Sequence, residues 1–140
     1  MTFPLAGLLR VRDAQERIAA EQLARSTAAR ARAEGAEQEA VTSLSEISAQ
    51  IDDAPTLLAM AAARAAGRSA LADLRSMTEM RRAEEAEAKA AHVDARREVK
   101  GLERLEGAHA ADSRARELHA EQSALDEIAV QRSLREERRA

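Results

Sequence analysis

The chain has no cysteine, so neither a disulfide framework nor a thiolate-ligated metal is open to it. Aromatic residues are almost missing as well: Phe3 is the single one, and Trp and Tyr are absent. Aromatic side chains supply large blocks of buried area in ordinary cores, so their scarcity argues against a globular core. Proline occurs 2 times in 140 residues. No glycine-rich phosphate loop is present, because Gly35, Gly67, Gly101 and Gly107 stand singly in helix-forming sequence. Long apolar runs are lacking too. The opening MTFPLAGLLRVR has no basic residue ahead of its apolar stretch and is interrupted by Arg10 and Arg12, unlike a secretory signal. The run at 57–63 falls far short of the ~20 residues of a spanning helix. A cytoplasmic protein is the expectation.

What is present is alanine, glutamate, leucine and arginine, with 34% of residues charged and a formal net charge of -3. That composition belongs to long helices and coiled coils. Chains that never fold share part of it, but the small net charge and scarce proline favour a folded helix. Alanine removes little apolar surface from water, so any seam built from it packs weakly.

Phe3, Leu5, Leu8, Leu9 and Val11 open the chain as an apolar cluster, and Pro4 suits a first helical turn, where its missing N–H costs nothing. From Arg12 to Ala40 only Ile18 and Leu23 are large and apolar, which implies a seam of small side chains and a close helix approach. Gly35 weakens this stretch by about 1 kcal/mol relative to alanine. Val41, Leu44, Ile47 and Ile51 restore steps of three and four. Asp52, Asp53, Ala54 and Pro55 then read as one helix ending and another starting. Gly67, Arg68 and Ser69 offer a second break, so 53–69 is either a short helix capping the tip or part of a long second helix. Leu71, Leu74 and Met77 resume the stripe. Beyond them Val99, Leu102, Leu105, Leu118, Leu125 and Ile128 form a thin apolar line that needs a second helix laid along it. Glu21 with Arg25, Glu85 with Lys89 and Asp112 with Arg116 are acid-first pairs four apart, each adding a few tenths of a kcal/mol.

The expected fold is therefore all-α: a single domain over 1–140 forming a rod-like antiparallel two-helix coiled-coil hairpin. Its helices run over about 4–52 and about 57–138, with a turn or tip at about 53–69. A turn near residue 54 leaves the second helix roughly thirty residues longer, an excess of about 45 Å. The two chain ends are expected to meet at or near one tip.

Enzyme chemistry finds no support. Glu106 and His109 form an E-x-x-H of the kind that places two ligands on one helix face, but no second copy exists and a solvated face is the plainer account. His92 and His119 have no partner at ligand spacing, and no nucleophile with a base and orienter stands out. No cofactor or metal is expected. Arginine outnumbers lysine, which raises the alternative of a nucleic-acid-associated helical protein. The arginines are interleaved with acids and no stacking aromatics accompany them, so nucleic acid is not expected as a partner. A generic structural coiled coil is the other alternative.

Three segments together resemble the flagellar export protein FliJ family, coiled-coil components of the type III secretion apparatus. Phe3, Leu5, Leu8, Leu9, Val11 and Arg12 match its F-x-L-x-x-L-L-x-V-R opening. Val99, Lys100, Leu102, Glu103 and Leu105 resemble its V-K-x-L-E-x-L segment. Glu121, Gln122, Leu125, Asp126, Glu127, Ile128, Ala129 and Arg132 are similar to the E-Q-x-x-L-D-E-x-A-x-x-R near its end. The match covers both ends and hardly the middle, where the aromatics usual in the family are missing. The resemblance implies a non-enzymatic stalk that inserts paired termini into the hexameric export ATPase, promotes its assembly and activity, and contacts the export gate's cytoplasmic domain and export chaperones. It would act at the cytoplasmic face of the membrane, associating with the membrane only through those partners. The equivalent rod of a virulence-type secretion system is an alternative. On this view Leu5, Leu8, Leu9, Val11 and Arg12 with Leu125, Asp126, Glu127, Ile128 and Arg132 form the ring-facing tip. Val41, Leu44, Leu71 and Leu74 form a gate-facing patch.

Overall fold

The computed structural model describes residues 2–47 and 54–139. They form two helices, α1 (Ala6–Glu46) and α2 (Ala54–Arg139), and no strand occurs among them. The two helices pack against each other antiparallel, so the fold is an all-α helical hairpin. By their contacts the residues group into two units, Met1–Asp13 with Arg97–Ala140, and Ala14–Arg96.

The helix starts follow from local chemistry. Pro4 lies in the turn before α1, where the Ala6 N–H donates to the Phe3 carbonyl at 3.1 Å and the Leu9 N–H to the Leu5 carbonyl at 2.9 Å. Pro55 sits in the first turn of α2, a position that spares it any lost backbone bond. Toward the end of α1 the Thr42 hydroxyl donates to the Gln38 carbonyl at 3.0 Å and the Ser45 hydroxyl to the Thr42 carbonyl at 2.7 Å. Such back-bonding loosens a helix near its end. The expected turn residues Asp52 and Asp53, with Ile51 of the α1 stripe, lie outside the described residues.

The separate capping helix over 53–69 is not formed: α2 runs unbroken through Gly67, Arg68 and Ser69. A lone glycine costs a helix about 1 kcal/mol, too little to end one that is otherwise continuous and packed.

Within Ala14–Arg96, α2 turns one face to α1 through Met60, Arg64, Gly67, Leu71, Leu74, Thr78, Arg81, Glu85, Ala88, His92 and Ala95, alternating steps of four and three. This is a heptad seam with charged and small residues at many of its positions. Its fully covered members are Ser26, Ala33, Leu71, Thr78 and Ala88, so the small-residue seam expected over 12–40 is present. Close approach is most visible at Gly67, where an added Cβ would lie 2.9 Å from Leu44 Cδ2. Thr78, 1% exposed, satisfies its hydroxyl on the Leu74 carbonyl at 3.0 Å.

Within the unit of Met1–Asp13 and Arg97–Ala140, α1 meets α2 from Phe3 opposite His109 to Arg12 opposite Glu98. Val99 is buried and Leu102 half-buried, but Leu105 is exposed. Every described residue from 114 onward is exposed, about 39 Å of helix at roughly 1.5 Å per residue. The expected meeting of the two chain ends at one tip is therefore corrected. Phe3 pairs with His109, and α2 continues far past it.

Candidate functional site

The sequence-derived surface falls into parts that the structure treats differently. In the opening segment Leu5, Leu8 and Val11 are exposed, while Leu9 and Arg12 are partly covered. Arg12 Nη1 pairs with Glu98 Oε2 at 2.7 Å, and Phe3 lies against the His109 ring with centroids 5.6 Å apart. The first two FliJ-like segments are thus brought together, one contributing Arg12 and the other following directly on Glu98. The third is not. Leu125, Asp126, Glu127, Ile128 and Arg132 are exposed and lie sixteen or more residues beyond His109 on the same helix, at least about 24 Å away. The ten residues do not form a single tip.

The patch of Val41, Leu44, Leu71 and Leu74 is mostly consumed by helix packing. Leu71 is buried, Leu44 and Leu74 are half-buried, and Leu44 covers Gly67. Val41 alone remains at the exposed edge. An open depression beside it is lined by Leu44, Ser45, Arg64, Arg68 and Leu71.

Charge pairing between the helices is denser than the sequence suggested. Glu16 Oε1 accepts from His92 Nε2 at 2.9 Å and lies 3.6 Å from Arg96. Arg30 bridges Glu34 at 2.7 Å and Glu85 at 2.5 Å. Glu34 also accepts from Arg82 Nε and Nη2, at 3.1 and 2.9 Å, and Glu37 faces Arg75 at 3.5 Å. Hydrogen bonds from Arg82, opposed by burial but aided by the charges of Arg30 and Arg82, hold the Glu34 carboxyl below its ordinary pKa. α2 repeats a basic residue every seventh position, at Arg68, Arg75, Arg82, Lys89 and Arg96, and α1 meets three of that row with Glu37, Glu34 and Glu16. Of the acid-first pairs, Glu21–Arg25 forms at 3.7 Å and Asp112–Arg116 forms. Glu85 instead takes Arg30 of the other helix.

Comparisons with family models, with curated proteins and with solved structures return no match. What the surface can do chemically rests on its own residues. Among the described residues no group of three or more His, Asp or Glu is placed to hold a metal ion. Glu106 is exposed, and His109, expected on a solvated face, is instead half-buried against Phe3. No described helix is long and apolar enough to cross a membrane. The open features are apolar side chains and charges on helix surfaces, suited to packing against other helices.

Proposed function

We propose that this chain is a stalk-like component of a flagellar type III export apparatus, acting without chemistry of its own on the hexameric export ATPase. The observation that carries the reading is the exposed opening segment. Leu5, Leu8 and Val11 stand free on a helical hairpin, in the order that resembles the FliJ family, beside an α2 that continues unpaired past them. The apolar residues of that continuation, Leu125 and Ile128, and the charges of Asp126, Glu127 and Arg132, would enter the ring opening. The cluster of the opening segment would meet its rim, where desolvated apolar contacts give affinity and charges give orientation. An export gate and export chaperones would be the further partners, at the cytoplasmic face of the membrane.

The test is to mix the purified chain with a flagellar export ATPase and measure hexamer formation and ATP turnover. Both are expected to rise, and no change in either overturns the reading. Leu8→Asp and Ile128→Asp each alter a side chain that is half exposed or nearly so. They are expected to lower the stimulation while leaving helicity intact.

A further inference from the structure

We infer that residues 117–138 of α2 form an antiparallel self-association surface, occupied by the same segment of a second copy of this chain. Two observations lead there. The first is that α2 carries a second apolar line away from its packed face. The packed positions Val99, Leu102, His109 and Ser113 continue in heptad steps through Arg116, Ala120, Ser123 and Glu127, and that face turns apolar again only at Val130 and Leu134. Leu118, Leu125 and Ile128, which are 66%, 62% and 51% exposed, lie instead on a separate stripe roughly 150° around the helix. That stripe cannot extend the hairpin seam, so its burial needs a helix from outside the hairpin.

The second observation is charge order along the stripe, which reads Leu118, Glu121, Leu125, Ile128, Arg132, Arg135. Laid antiparallel on its own copy about a centre between Asp126 and Glu127, it sets Leu125 against Ile128 of the second copy, twice by symmetry. Glu121 then meets Arg132 of the second copy on both sides of that apolar centre. At the flank Glu117 meets Arg138, and the stem of Arg135 covers Leu118. None of Glu117, Glu121, Arg132 or Arg138 has an ion-pair partner among the described residues. Asp126 and Glu127 point away from the stripe, and the like-charged Arg114 and Arg139 fall at the outer ends, where both stay solvated. A parallel pairing in register would instead set Glu121 on Glu121 and Arg132 on Arg132, which the charges oppose. The acid-first, base-last order of this one segment therefore selects an antiparallel copy of itself. The inference does not rest on the export reading, and its test needs no ATPase.

The experiment is sedimentation velocity on the full 140-residue chain over chain concentrations from about 1 µM to about 1 mM, with circular dichroism on each variant. A concentration-dependent dimer is expected. Ile128→Asp should weaken it at least about tenfold, and Glu121→Arg or Arg132→Glu alone should weaken it severalfold. The doubly exchanged chain, with Glu121→Arg and Arg132→Glu together, should regain most of the lost affinity. All three positions are exposed, so helicity should not change. A chain that stays monomeric throughout overturns the inference. So does a dimer indifferent to Glu121 and Arg132, which would place the contact elsewhere.

Discussion

Replacing Gly67 with alanine tests how closely the two helices approach. At Gly35, also within a helix, an added Cβ meets nothing within 4 Å, so Gly35→Ala should gain the full backbone advantage of alanine, about 1 kcal/mol. Gly67→Ala carries the same gain against an obstacle. Its Cβ would sit 2.9 Å from Leu44 Cδ2 and 3.1 Å from Cγ. Cγ is the branch point of the side chain, so swinging one methyl aside does not clear it. Leu44 must change rotamer or the helices must part, at a cost of about 1–3 kcal/mol for overpacking. The net effect of Gly67→Ala therefore lies between about zero and a loss of about 2 kcal/mol. In a Leu44→Ala background the obstacle is gone, and the same change should stabilise by about 1 kcal/mol, so that the pair is non-additive. Urea unfolding followed by circular dichroism reads the parent and all four variants, provided the slope stays constant. If Gly67→Ala in the parent chain stabilises as much as Gly35→Ala, the tight contact with Leu44 is wrong.

Three further outcomes can be checked. Thr78→Val should fall within about 1 kcal/mol of the parent, because the buried hydroxyl bonds only to its own helix; Thr78→Leu should lose about 1–3 kcal/mol in thermal melts. Glu85→Gln removes the cross-helix partner of Arg30 and should cost up to about 1 kcal/mol in dilute buffer, shrinking as salt is added; a loss independent of salt would point to packing instead. Glu34 has a folded-state pKa below its ordinary value, so its contribution is complete above the ordinary carboxylate range and is lost as pH falls through the lowered value. The stability gap between the parent and Glu34→Gln should accordingly close in acid, and a gap that persists there would contradict the bonding to Arg82.

Much of the fold was legible because helix propensity and apolar spacing agree over most of the chain. The small-residue stretch over 12–40 implied a close seam, and Ser26 and Ala33 are buried in it. The spacing of Val99 and Leu102 implied a partner helix, and that end of the stripe is covered. What the residues did not reveal depends on register. Glu16 and His92 stand 76 positions apart, and no local pattern announces a pair that exists only once the chain has folded back. Gly67 looked like a break because glycine weakens any helix, yet it is the position where Leu44 needs room. Leu118, Leu125 and Ile128 looked like more of the same stripe. The step from Leu105 to Leu118 is thirteen residues, a distance that steps alternating between three and four never reach. The opening segment and the LDEIA stretch shared a resemblance but not a location, since α1 is 41 residues long and α2 is 86.

The sevenfold recurrence of basic side chains from Arg68 to Arg96 carries a mechanical consequence. Were α2 to slide by a single heptad within that region, Glu34 and Glu37 would each find a cation again, but Leu44 would meet Met60 or Leu74 where Gly67 now gives it room. Arg30 would lose Glu85 for Thr78 or His92, and Glu16 would trade His92 for Glu85 or Val99. Those two residues and the fit of Leu44 over Gly67 act as the stops on an otherwise indexed track. Altering all three would leave a hairpin able to settle a notch to either side.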